Sequence, residues 1–112
     1  MKSLKNNVQL IGHVGQTPEI KDLGNGKKVA KFSLATNEIY RNAQGEKVEQ
    51  TYWHNLVAWG KTAELIENYV EKGKEIGISG KLTNHAYETK EGYKRIMTEI
   101  VINEVLLMGG KK

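Results

Sequence analysis

The stretch Thr51–Lys61, TYWHNLVAWGK, contains both tryptophans of the 112-residue chain and is typical of a β-strand. Side chains of a strand alternate between its two faces, so Trp53 and Trp59 share a face unless a bulge separates them. At roughly 3.3 Å per residue, the two rings lie about 20 Å apart. One interpretation is that aromatic residues simply suit a pleated strand. The other, which the polar Asn55 between the rings favours, is a platform on which flat ligands stack.

Length and composition describe one small domain. A chain of 112 residues buries enough surface for a core of its own. It has no cysteine, which excludes disulfides and thiolate metal sites. No segment reaches transmembrane length, and the amino-terminal apolar run is interrupted by Gln9 and Gly12, which is not typical of a signal peptide. The formal net charge of +4 favours a polyanionic partner.

Five strands are predicted, with one helix between the third and the fourth. The predicted strands comprise residues 4–14 with a short continuation over 19–22, 28–41, 49–60, 74–87 and 93–107. Between the third and fourth of these strands, apolar residues recur at helical spacing. The predicted helix begins after Thr62, its predicted N-cap, and ends before Gly73, its predicted C-terminal stop.

This order of elements is the layout of the OB-fold, an all-β Greek-key barrel that binds oligonucleotides and oligosaccharides. A doubly wound parallel fold would need helices between most of its strands, and only one helix is predicted. We expect the OB-fold domain to comprise residues 1–108, followed by a short flexible C-terminal remnant at 109–112.

Little in the sequence indicates catalysis. The single aspartate, Asp22, lies beside a turn, and His13, His54 and His85 lie on different predicted strands without the spacing of metal ligands. We interpret the histidines as polar strand residues or interface hydrogen-bonding groups. The glycine-rich segment Gly24–Gly26 precedes a strand rather than a helix, which indicates a hairpin turn and not a phosphate loop. The protein is therefore predicted not to be an enzyme and to need neither cofactor nor metal.

Aromatic residues beside polar and basic neighbours favour nucleic-acid binding. Phe32 lies among apolar residues and is assigned to the core, whereas Tyr40, Trp53, Trp59 and Tyr87 adjoin polar or charged side chains. Every base has a flat face, so stacking tolerates any sequence while cations follow the phosphates. Because duplex DNA hides those faces, this pattern predicts a binder of single strands.

Basic residues along the strands and loops are candidates for phosphate contacts. They are Lys5, Lys21, Lys31, Lys47, Lys61, Lys81, Lys94 and Arg95. The alternative for each lysine is a surface charge in solvent, where charged side chains mostly lie, and we expect that outcome for about half of them.

Four segments resemble the bacterial and mitochondrial single-stranded DNA-binding protein family, over nearly the whole chain. They are NNVQLIGHVGQTPEI at 6–20, FSLATNE at 32–38, TYWHNLVAWGKTAE at 51–64 and YVEKGKEIGISGKL at 69–82. The resemblance implies sequence-nonspecific coating and protection of single-stranded DNA in replication, recombination and repair. It places the base-stacking rings at Tyr40, Trp53, Trp59 and Tyr87. Tryptophan is frequent in the family at the positions of Tyr40 and Tyr87, so the smaller rings imply weaker stacking there.

The resemblance also has implications for assembly and location. It implies that the protein is a homotetramer with His54 at a subunit interface. It also implies that the protein lies in the cytoplasm, at the bacterial nucleoid, and does not associate with a membrane. The family usually carries a linker and an acidic tip that recruits replication and repair proteins, whereas this sequence ends in Gly110-Lys111-Lys112. Recruitment of those partners is therefore in doubt, while strand binding is expected to persist. The alternatives are an RNA-binding or accessory OB module, such as a primosomal protein, and a structural oligomerisation domain.

Overall fold

A computed structural model describes residues 5–108 as six strands and one helix. These are β1 (Val8–Val14), β2 (Glu19–Gly24), β3 (Lys27–Arg41), β4 (Lys47–Trp59), α1 (Gly60–Tyr69), β5 (Glu75–Glu88) and β6 (Lys94–Leu107). The start predicted for the first strand and the remnant predicted at 109–112 lie outside the described residues. Within the described range, no helix has the length and apolar character needed to cross a bilayer.

The strands close into a five-stranded barrel because β1 and β2 together form its first strand. Both pair antiparallel with β3: Val14 lies opposite Leu34, and further along Glu19 lies opposite Lys31. The connection containing Pro18 interrupts this strand, since proline lacks the amide hydrogen that a ladder needs. β1 also pairs with β5, β5 with β6, β6 with β4 in parallel, and β4 with β3, which completes the ring. The OB-fold prediction is confirmed, including one helix between the third and fourth barrel strands.

The core lies on the even-numbered face of the long strands. Ala30, Phe32 and Leu34 of β3 are buried, and they lie opposite Ala58, Leu56 and His54 of β4 in the register. The assignment of Phe32 to the core is therefore confirmed. Burying a side chain of this size stabilises the fold by about 1.5–3 kcal/mol.

The helix begins and ends earlier than predicted. It starts at Gly60, directly after β4, and its N-cap residue is Trp59 rather than Thr62, with no side-chain capping bond. Gly60 adopts a positive φ of 60°, a conformation that glycine accepts and that turns the chain from strand to helix at once. Ile66 and Ala63 are buried, so α1 packs one face against the barrel. The helix ends at Tyr69, before the predicted stop at Gly73.

Two hairpins continue beyond the barrel. Among residues 5–108, the outer part of β3 pairs only with that of β4, up to Arg41 opposite Lys47. The outer parts of β5 and β6 likewise pair only with each other, up to Glu88 opposite Lys94. Apolar side chains on these arms stay exposed: Ile96 continues the face of the buried Ile100, yet it lies beyond the barrel. The arms therefore offer apolar surface outside the core.

Candidate nucleic-acid interface

Trp53 and Trp59 lie on the same outward face of β4. The register between β3 and β4 runs without a bulge from Trp59 opposite Val29 to Lys47 opposite Arg41, which includes both tryptophans. Trp53 is 62% exposed and Trp59 52% exposed. The prediction of a shared face is confirmed, and both rings are open to solvent.

Tyr87, from β5, joins the two tryptophans. It lines one cavity of about 410 Å³ with Trp53 and a second of about 390 Å³ with Trp59. Met97 of β6 lines both cavities as well. The parallel pairing of β4 with β6 brings the β5–β6 arm beside β4 and so creates this arrangement. We call the surface formed by Trp53, Tyr87 and Trp59 the stacking groove.

Tyr40 lies on the other face of the β3–β4 arm. It is opposite Val48 in the register, on the face of Thr36 and Tyr52, whereas Trp53 lies opposite Ala35 on the alternate face. Tyr40 is exposed but lines neither cavity of the stacking groove. A single strand that stacks on all four rings must therefore pass around this arm.

The basic candidates are all exposed, and the structure brings some of them to the stacking groove. Lys31 lines the cavity beside Trp59. Arg95 of β6 pairs with Tyr87 of β5. Lys21 of β2 pairs with Val29 of β3, and Val29 pairs with Trp59 of β4, so Lys21 lies on the same face as Trp59.

The remaining basic candidates divide between the groove face and other parts of the barrel. Lys81 shares the face of Tyr87, and Lys47 shares that of Trp53 at the far end of its arm. Lys61 lies on α1, Lys94 lies opposite Glu88 on the alternate face, and Lys5 precedes β1. The structure therefore does not gather these last three around the rings.

The three histidines are not brought together. His54 is partly buried, and its Nε2 lies 3.0 Å from Thr36 Oγ1 across β3 and β4. Nε2 of His85 lies 3.1 Å from Oε1 of Glu99, while His13 is exposed on β1. Among residues 5–108, no three His, Cys, Asp or Glu side chains are grouped in a way that could hold a metal ion.

Sequence reasoning missed Glu99. This residue of β6 is only 6% exposed, although it lines the cavity between Trp59 and Tyr87. A charged residue directly before the apolar run Ile100–Ile102 was the one available signal. Its burial depends on pairing between strands distant in sequence, so the local pattern could not reveal it.

Comparison with known proteins places these features in a family. A sequence model of the single-strand binding protein family matches residues 5–108. The chain is 39% identical over 107 residues to single-stranded DNA-binding protein 1 of Chlorobaculum tepidum. It is 38% identical over 106 residues to the single-stranded DNA-binding protein of Neisseria meningitidis serogroup A.

These alignments include 95% of this chain, which spans 66% of the length of the first relative and 61% of the second. A solved structure described as the Plasmodium falciparum SSB complex with ssDNA superposes with a TM-score of 0.87. Sequence identity to it is 36%, and the match includes 97% of this chain and 98% of that one.

Proposed function

This chain belongs to the single-strand binding protein family, and on that premise we propose that it coats single-stranded DNA without recognising a sequence. The coating would protect unpaired strands in replication, recombination and repair, by binding alone and without a catalytic step or cofactor. The observation that carries the proposal is the stacking groove, where Trp53, Tyr87 and Trp59 are all more than half exposed around two adjoining cavities.

Stacking supplies the main attraction. Each base that stacks on an aromatic side chain contributes about 1–3 kcal/mol. Three rings in the groove would contribute roughly 3–9 kcal/mol, before the cost of ordering the strand is subtracted. Tyr40 would add a fourth contact for a strand long enough to pass around the β3–β4 arm.

Basic side chains around the groove would hold the phosphates. Lys21, Lys31, Lys81 and Arg95 share the groove face and are exposed. Neutralising phosphates releases counterions, so affinity should fall as the salt concentration rises. Lys5, Lys47, Lys61 and Lys94 remain proposed contacts for a strand that extends past the groove.

We also propose that the protein assembles as a homotetramer. Ile11 of β1 and Leu106 of β6 are exposed large apolar side chains around a shallow depression of about 630 Å³, on a part of the barrel separate from the stacking groove. Burying apolar surface of this kind is the usual driving force for association. His54 is proposed as an interface residue. A mass measurement in solution tests the assembly, and a monomer at micromolar concentration would contradict it.

A fluorescence titration tests the proposed function. Because both tryptophans lie in the groove, indole emission should drop when oligo-dT is added and stay unchanged with a duplex of the same length. A matched oligo-U titration distinguishes an RNA-binding module, which would prefer the RNA. Unchanged emission together with an intact oligomer would instead indicate a structural oligomerisation domain.

A further inference from the structure

Met97 of β6 lies in the middle of the stacking groove. Within the described part of the chain, only Met97 and Tyr87 line both the cavity beside Trp53 and the cavity beside Trp59. The side chain of Met97 is accessible, since the residue is 40% exposed. A strand that passes from one tryptophan to the other therefore crosses Met97.

A thioether suits a groove that binds every base. Methionine has a flexible, unbranched side chain, and its polarisable sulfur packs favourably against aromatic rings. The sulfur donates no hydrogen bond and is only a weak acceptor, so it does not distinguish one base edge from another. Met97 can therefore contact a base of any identity, in agreement with binding that recognises no sequence.

We propose that Met97 is a contact residue for single-stranded DNA and that its oxidation by a hydroperoxide weakens binding. The inference rests on the proposed function and deepens it. The thioether sulfur attacks the terminal oxygen of the hydroperoxide, the O–O bond breaks and a sulfur–oxygen bond forms. The proton of the transferred oxygen passes to the other oxygen, which leaves as water or an alcohol. The sulfur loses two electrons and the hydroperoxide gains two.

The product, methionine sulfoxide, is polar where the thioether is apolar. In the groove it would present a hydrated oxygen to the faces of the bases, and the apolar contact would be lost. The effect is reciprocal, because a strand that covers Met97 also shields its sulfur from the oxidant.

Treatment of the whole protein with tert-butyl hydroperoxide tests the proposal. Affinity is measured by the fluorescence anisotropy of labelled oligo-dT, which does not depend on indole emission. The treated wild type should bind about two- to tenfold more weakly, the size of a sulfur–aromatic contact. Met97→Leu has a similar volume without an oxidisable sulfur, so treatment should not change its affinity from its own untreated value.

Met108→Leu is the matched control. Met108 lies beside Gly77 and lines neither cavity of the groove. Treated Met108→Leu should therefore lose affinity as the treated wild type does. Peptide mass spectrometry should show that bound oligo-dT slows the oxidation of Met97 and leaves that of Met108 unchanged. Equal oxidation of Met97 with and without the strand would overturn the inference.

A reversal step separates the sulfoxide from damage to the tryptophans. Methionine sulfoxide reductases return the sulfoxide to the thioether, and affinity should return with it. A loss that persists after the reduction of Met97 would overturn the inference.

Met97→Gln tests the same contact without an oxidant, since glutamine is of similar length and polar. It should bind about two- to tenfold more weakly than the wild type while its melting temperature is retained. Unchanged affinity in Met97→Gln, or in wild type with oxidised Met97, would overturn the inference and leave the proposed function intact. If the untreated wild type does not bind oligo-dT, the proposed function fails and this inference fails with it.

Discussion

The indole ring of Trp53 lies against Gly15, so closely that a Cβ atom on Gly15 would come within 2.3 Å of Trp53 Cζ3. The same atom would lie 2.9 Å from Ser33 Oγ, which leaves no room for a side chain. The connection between β1 and β2 therefore supports one side of a ring that is otherwise open to solvent.

Gly15→Ala should weaken single-strand binding by displacing that ring. We expect a loss of up to about 1–3 kcal/mol, the contribution of one stacked base. The measurement is a fluorescence titration with oligo-dT. In a Trp53→Ala background the same change should add little, because its target is already absent. A full additional loss in that background would show that Gly15 acts through something other than Trp53.

Trp53→Ala should cost about 1–3 kcal/mol of affinity per site while the barrel stays folded, since the ring is exposed. Affinity and melting temperature are measured together. Tyr69→Ala, which removes an exposed ring from α1, is the matched control and should leave binding unchanged. A collapsed melting transition or a dissociated oligomer would instead place Trp53 in the core or at an interface.

Tyr40→Ala should affect long oligonucleotides and spare short ones. Tyr40 lies on the opposite face of the β3–β4 arm from Trp53, so a short strand in the stacking groove does not reach it. Titration with oligo-dT of graded length locates the length at which the variant departs from the wild type. Tyr87→Ala should weaken binding at every length. Equal losses for Tyr40→Ala at all lengths would contradict the separation of the two faces.

Lys31→Ala should reduce the salt dependence of binding. The logarithm of the affinity of a single strand falls with the logarithm of salt concentration, with a slope of about −0.7 per phosphate neutralised. Because Lys31 lines the groove, its loss should make the slope shallower by about 0.7. Lys72→Ala, which removes an exposed lysine outside the groove, should keep the wild-type slope. If both variants show the same slope of affinity against salt concentration, Lys31 is a surface charge in solvent that contacts no phosphate.

The bond between Lys28 and Glu67 should make stability depend on alkaline pH. Nζ of Lys28 donates to Oε1 of Glu67 at 2.7 Å, and this hydrogen bond raises the pKa of Lys28 above its ordinary 10.5. A raised pKa in the folded state contributes stability below the unfolded value, and that stability is lost as pH rises through the folded value.

Melting of the wild type and Glu67→Gln at several pH values tests this dependence. The wild type should melt higher at neutral pH, and the difference should shrink above pH 10.5. Because both groups are near the surface, the difference should be small and should decrease with added salt. A gap that persists unchanged into strong alkali would argue against the ion pair as its source.

Much of the fold could be predicted because its signals are local. Alternation places Ala30, Phe32 and Leu34 on one face, and a change of period identifies the helix between the third and fourth barrel strands. The predicted helix start was wrong, since Gly60 turns the chain directly from β4 into α1 and Thr62 lies inside the first turn. Capping preferences describe an average helix end, and here the adjoining strand sets the boundary.

The sequence by itself determined the order of elements, the core face and the shared face of Trp53 and Trp59. These follow from the two-residue period of a strand, which acts between neighbours along the chain. Only the tertiary structure decided that Tyr87 joins those rings, that Tyr40 lies on the opposite face and that Glu99 is buried in the cavity that Trp59 and Tyr87 line. The register of the β3–β4 hairpin sets the face of Tyr40, whereas the parallel pairing of β4 with β6 brings Tyr87 and Glu99 beside the tryptophans. Contacts between residues far apart in sequence leave no periodic trace in either segment alone.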